Sequence, residues 1–407
     1  MADTLKSQNV FYPALHDFCT KYFIVGPTPL TAADVQQFPA RGRDLEASLF
    51  EHFLLFDTMS IKVNGDNLPL VFLLRILGLK RLEELIEQGA MKFVLWTPMI
   101  LHFVQDIRGV NALAAGNATD SAHTDLEMSI DLGLNRLTDK PTKHVRKLLK
   151  RKVAPLYTLP PPDLAKQTVD ITNSAYNSGK LRALGFAPER KSLMELTLQE
   201  RQLLGKCATE LLEYRYLISQ GMTSLSEFPY FSFFANSIQR IASGTKVTSG
   251  FDELARFENF PDLKALYPTL EKGMHQLPKL RARRRSMLFR EWLSSATAGD
   301  GEITREYLDA ITNAKGPLDT KVGKLTKSIV MTTIGAAVGA TLEGSVTGAA
   351  EGGIMGKVVE PAIDLGLDLL DEFMLDGLKK GWNPRMFFDD LRELEHPDLR
   401  EISPVSK

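Results

Sequence analysis

The period of the apolar positions changes along this chain, and each change marks an element. LLFDTMSIKV (54–63) is β-prone with partial alternation, which predicts a strand. NGDN (64–67) is turn chemistry. LPLVFLLRILG (68–78) reads as a short apolar helix with Pro69 in its first turn and Gly78 near its end. LKRLEELIEQG (79–89) is amphipathic, with Leu79, Leu82, Leu85 and Ile86 on one face and Gly89 as the stop. AMKFVLW (90–96) is strand-like again. The order strand–helix–helix–strand predicts a small α/β element with two strands side by side.

Residues 110–140 are polar and mixed, with a short helix expected near 124–132. KHVRKLLKRK (143–152) is a basic helix. APLYTLPPPD (154–163) has four prolines in ten residues and reads as a linker, because proline denies continuity to both helix and sheet. From 164 to 295 the pattern is helical; the longest run is 192–221, closed by Gly221. FPYFSFFANSIQRIASG (228–244) is aromatic-rich, and 251–296 reads as several helices punctuated by Pro261, Pro268 and Pro278. A short helix is expected at 303–315, a glycine-rich one across 321–359, and further helices at 362–378 and 385–394, the last with Asn383 as N-cap and Pro384 at N1. The fold class is therefore mainly α, with a small α/β element near the N-terminus and a C-terminal glycine-rich helical segment. The expected division is 1–153 (N-terminal α/β region), 164–315 (helical domain) and 316–407 (C-terminal glycine-zipper region).

Composition narrows the functional classes. The 407 residues carry a formal net charge of −1, so the molecule as a whole is no electrostatic partner for nucleic acid. The two cysteines, Cys19 and Cys207, exclude a disulfide scaffold by number and suit a reducing compartment. MADTLKSQNVFYPALHDF lacks the charged start and apolar core of a signal peptide, and no window offers about 20 uncharged apolar residues. The expected location is cytoplasmic, peripheral to the inner membrane.

Catalytic signatures are missing. In the glycine-rich stretch, Gly356-Lys357 is followed by Val358, and Glu351 stands where a phosphate loop needs its first glycine. The dinucleotide spacing G-x-G-x-x-G is absent there as well. No histidine pair makes H-x-x-x-H, and no G-x-S-x-G occurs. Neither cofactor nor metal is expected, and the chain reads as a non-enzyme. A dispersed active site would need His102, Asp106 or Asp389 to converge in a cleft; His102 and Asp106 share a face if 102–106 is helical. Asp389 and Asp390 read as an exposed first turn favoured by the helix dipole.

Charge is locally uneven. Lys143, Arg146, Lys147, Lys150, Arg151 and Lys152 fall within 143–152, with no acid among them. Lys279, Arg281, Arg283, Arg284, Arg285 and Arg290 fall within 279–290, again without an acid. Such clusters grip lipid headgroups or other anions. The competing reading is intramolecular pairing, with the ten acids against four bases of 360–395 as the partner. Neither cluster interleaves the aromatics that stack bases, which argues further against nucleic acid.

IGAAVGATLEGSVTGAAEGGIMG (334–356) is the most regular feature. On a helix Gly344, Gly348, Gly352 and Gly356 form one strip, extended upstream by Gly335 and Gly339, which lets another backbone approach closely. Each interior glycine costs about 0.8–1 kcal/mol relative to alanine. Seven forfeit roughly 6 kcal/mol, comparable to a domain's net stability, so such a helix needs a close neighbour. The charge-free run 328–342 spans about 22 Å as helix, short of a bilayer core, and Glu343 and Glu351 interrupt the remainder of the stretch. The stretch 330–358 resembles the glycine zippers of membrane-associated and pore-forming bacterial proteins. FDTMSIKVNGDNLPLVFLLRILGLKRLEELIEQGAMKFV and LRARRRSMLFREWL look like segments of uncharacterised bacterial proteins, some from anti-phage defence loci. The defence-locus likeness implies a context, not a mechanism; the expected function is a non-enzymatic sensor or scaffold that meets a membrane, another copy or a partner protein through the zipper. The alternative is a soluble interaction module with the glycine helix buried in its own core.

Overall fold

The computed structural model describes residues 9–24, 29–102, 109–186, 191–224, 263–270 and 272–295, together with Phe387, Asp390 and Leu391. The segments expected to be helical at 228–244, 303–315 and 362–378 lie outside the described residues, as do Asp106, Asp389 and the whole glycine strip, Gly335, Gly339, Gly344, Gly348, Gly352 and Gly356.

The described chain is mainly helical, built around a small parallel sheet. β1 (Asn9–Tyr12) passes through Pro13 into α1 (Ala14–Phe23), followed by α2 (Ala32–Leu55). Then come β2 (Thr58–Val63), α3 (Leu68–Glu87) and β3 (Met91–Leu95). β4 (Pro98–His102) and β5 (Leu113–Asn117) pair as a separate antiparallel ribbon. α4 (Ser121–Thr124), α5 (Leu126–Asn135) and α6 (Lys143–Val153) lead to β6 (Tyr157–Thr158). α7 (Leu164–Asn177), α8 (Leu198–Gln220) and β7 (Thr223–Ser224) come next. The later described helices are α9 (Leu263–Leu266), α10 (Gly273–Ala282) and α11 (Arg284–Ser295).

The strand–helix–helix–strand reading of 54–96 holds, with two adjustments. The two expected helices are the halves of α3, broken at Gly78 by φ 72° and ψ 164°, a conformation that strains any residue with a Cβ. The strand begins at Thr58 instead of residue 54, because α2 runs on to Leu55. β2 and β3 lie side by side in parallel register, Met59 opposite Met91 and Val63 opposite Leu95.

The five strands run in the order β6-β3-β2-β1-β7, and every pair is parallel. Both faces are covered, as a parallel sheet requires. Val10, Tyr12, Met59, Ile61, Val63 and Phe93 face a core shared with α1, α2, α3, α5 and α10. Phe11, Val94 and Trp96 face a second core built by α7, α8 and the ribbon.

The proline-rich segment 154–163 is not a linker. Its Tyr157 and Thr158 are β6, paired with Phe93 and Val94. Asn67 Nδ2 donates to the Tyr157 hydroxyl at 2.6 Å, while Asn67 Oδ1 caps α3 by accepting from Leu70 N at 2.9 Å. Proline is tolerated because β6 lies at the sheet edge. The sheet therefore crosses the expected boundary, and β7 at 223–224 pairs with β1. The pairing 102–106 as a helix face is also corrected: His102 ends strand β4.

Candidate functional site

The basic segment 279–290 splits into an inward and an outward half. Arg281 is 3% exposed, and its guanidinium donates to the carbonyls of Phe53, Phe56 (2.6 Å) and Asp57. Arg290 donates to Leu54 O at 3.4 Å and Arg281 O at 3.1 Å, and stands 3.5 Å from Asp57 Oδ1. The carbonyls of 53–57 lie at the C-terminal end of α2, where intrahelical donors run out. Two arginines satisfy them and complement the negative helix end. Burial lowers the pKa of both groups. Arg281 is thus a helix cap, not the surface anion ligand expected from sequence, since its fork is consumed by backbone.

Arg283, Arg284 and Arg285 point the other way. They sit where α10 ends and α11 begins, and with Asp390 they line an open cavity of about 450 Å3. Arg285 donates to Asp390 Oδ1 at 2.5 Å, and Arg283 lies 3.8 Å from Oδ2. Asp390 is 9% exposed, so it is not the solvated first-turn acid expected from sequence. It is seated by its neighbours: the Phe387 ring stacks on Phe289 at 4.3 Å and 16°, and Leu391 is 1% exposed in the core shared with α10.

The other basic segment, α6, is an outer helix largely neutralised by adjacent helices. Arg146 pairs with Asp131 at 3.5 Å and donates to Asn135 Oδ1 at 2.8 Å. Lys150 pairs with Asp131 and, at 3.5 Å, with Glu127. Lys152 reaches Glu83 at 3.0 Å and Glu87 at 2.8 Å. Hydrogen bonds to Asp131 and to Glu87 are the leading cause that raises the Lys150 and Lys152 pKa values respectively. Among the described residues these partners belong to α3 and α5. Lys143, Lys147 and Arg151, at four-residue steps, stay exposed and make no ion pair among the described residues.

A third group carries no motif in the sequence. In the order β6-β3-β2-β1-β7 the chain's direction of travel reverses beside β1, and open α/β sheets bind ligands at the carboxyl ends of strands flanking such a reversal. Lys62, near the end of β2, pairs with Glu213 of α8 and lies 4.8 Å over the Trp96 ring. Trp96 in turn meets Tyr216 edge-on at 5.4 Å, and Phe11 packs on both rings. α1 starts directly after β1 and brings His16 and Asp17. Burial, helped by the Lys62 charge, pushes the His16 imidazole down to about 4. Desolvation raises the Asp17 pKa, against Lys62 and with Glu213. A neutral imidazole, a carboxyl that holds its proton more tightly than usual and an ion-paired lysine thus gather at one end of the sheet. The only sequence trace of this group is NVFYP, a short apolar run closed by proline before a helix.

His102 does not join that group through any hydrogen bond among the described residues. Its ring packs so tightly against α8 that a Cβ at Gly205 would meet its Cγ at 2.8 Å. Cys19 and Cys207 are buried free thiols whose pKa values burial raises. Among the described residues no cluster of His, Cys, Asp and Glu is placed to hold a metal ion, and no helix is long and apolar enough to cross a membrane. The described residues thus form a mainly helical protein around a small open parallel sheet, with helices on both of its faces and basic side chains at the start of α11. No family model, curated protein or solved structure matches the chain.

Proposed function

We propose that this is a non-enzymatic bacterial sensor or scaffold, acting in anti-phage defence, whose C-terminal glycine zipper associates with a membrane or with a second copy. The observation that carries this reading is the position of the outward arginines. α11 ends at Ser295, Phe387 stacks on Phe289 of the same helix, and Arg283–Arg285 stand at its start. The described residues that flank the stretch 296–386, which contains the glycine ladder, are both held on α11: Ser295 ends it and Phe387 stacks on its middle, with Arg283–Arg285 at its other end. A weakly apolar element beside a basic patch is the two-signal arrangement that stabilises peripheral membrane binding, where one signal alone is marginal. The exposed stripe Lys143, Lys147 and Arg151 supplies a further attraction for an anionic surface.

One observation favours a second reading. Phe387 and Leu391 are buried in the same core as α10 and α11, so the chain beyond the glycine stretch returns to its own body. This supports a soluble interaction module with the glycine helix packed internally. Gly348→Leu separates the two. Under the zipper reading the variant keeps its circular-dichroism melt and loses vesicle binding or self-association. Under the buried reading it unfolds in detergent-free buffer.

A further inference from the structure

The cavity at the start of α11 carries an imbalance of charge. Three guanidiniums, those of Arg283, Arg284 and Arg285, line it with one carboxylate, Asp390. Arg285 engages that carboxylate closely and Arg283 only at 3.8 Å. Arg284 is exposed and makes no ion pair among the described residues. The helix adds to the imbalance. Met287 N is the first amide to bond back, to Arg283 O at 3.1 Å, so the amides of Arg284, Arg285 and Ser286 have no intrahelical acceptor. An oxyanion already occupies part of this space in the form of the Asp390 carboxylate, nine-tenths buried and held by two arginines. The cavity, at about 450 Å3, has room for more than that one group.

We propose that this cavity binds a phosphate-class oxyanion, and that Asp390 is the internal carboxylate with which it competes for Arg285. Arginine forks match the tetrahedral, multiply charged phosphate group better than they match a single carboxylate, and several forks can share one phosphate. The same chemistry is offered by a free phosphate compound and by a phospholipid headgroup. The inference goes beyond the zipper reading: it stands on the cavity alone, whatever the glycine stretch does.

Calorimetric titration of the full chain at low ionic strength tests it in two arms. One arm uses inorganic phosphate and pyrophosphate. The other uses phosphatidylglycerol vesicles, with phosphatidylcholine vesicles as blank. Binding in the first arm alone assigns free phosphate, and binding in the second alone assigns the headgroup; binding in both supports the shared chemistry. In whichever arm responds, Arg284→Gln weakens binding about tenfold, the loss expected for one charge-assisted contact. Asp390→Asn keeps the side-chain shape, removes the competitor and tightens binding several-fold. Both sites of change lie at the cavity mouth or keep its volume, and melting curves check that each variant is folded. Silence in both arms for the intact chain and Asp390→Asn overturns the proposal. So does binding that Arg284→Gln leaves unchanged, or binding that Asp390→Asn weakens.

Discussion

The segments 143–152 and 279–290 are near twins in sequence, each with six cations and no acid, yet the fold uses them differently. On α6 the cations lie along the outside of a helix and meet carboxylates of α3 and α5 across solvent-exposed gaps. In 279–290 the break between α10 and α11 turns Arg281 and Arg290 inward onto backbone carbonyls and leaves Arg283–Arg285 at a cavity. What distinguishes them is the acceptor. A surface carboxylate can exchange its partner for water, whereas buried carbonyls at a helix end have no substitute donor. Equal charge density therefore predicts neither equal stability nor equal availability to a ligand.

The largest effect should come from breaking the inward half. Arg281→Met leaves the carbonyls of Phe53, Phe56 and Asp57 without their donor and is expected to cost about 3 kcal/mol, read from the midpoint of urea unfolding. Gly133→Ala attacks the helix that supplies α6 with its acids. A Cβ there meets Asn67 O at 2.4 Å, a backbone atom that cannot step aside. The expected loss is about 1–3 kcal/mol, with the Lys150–Asp131 pair disturbed as α5 shifts.

His16 provides a control that lies outside both segments. The folded His16 imidazole titrates at about 4, below its unfolded value of 6.5, so the unfolded chain binds the proton first as pH falls. Stability from this group is fully present above pH 6.5 and drains between there and about pH 4. The total is on the order of 3 kcal/mol. His16→Gln should flatten that slope in melts taken across the window, while Arg281→Met should lower the whole curve without flattening it. Smallest of all, Lys150→Ala should cost about 0.5 kcal/mol, and Lys143→Ala, Lys147→Ala and Arg151→Ala together should leave the melt unchanged. A loss of several kcal/mol from the α6 variants would erase the contrast between the two segments.

These differences explain how far the sequence could be read. The α/β element at 58–95 was legible because its signals are local: Asn67 and Pro69 open α3, Gly78 breaks it and Gly89 closes it. The helix ending at Gly221 and the helical nature of 143–153 were legible for the same reason. The edge strand Tyr157–Thr158 was not, because its pairing with β3 and its hydroxyl contact with Asn67 are long-range, and four prolines around it speak louder than two residues. The fate of each arginine was equally hidden. Nothing near Arg281 in sequence names Phe53 or Phe56 as its partner, and nothing near Arg285 names Asp390. The group at the carboxyl end of the sheet's central strands, His16, Asp17, Lys62 and Glu213, comes from three elements that only the strand order brings together.

The central proposal is that the glycine ladder of 335–356 is the element that associates with a membrane. Flotation of the full chain with phosphatidylglycerol vesicles, beside a version lacking 328–359, tests it most directly. The account predicts that the full chain rises with the vesicles and the shortened chain, still folded by circular dichroism, stays at the bottom. Equal behaviour of the two, floating or not, would contradict it.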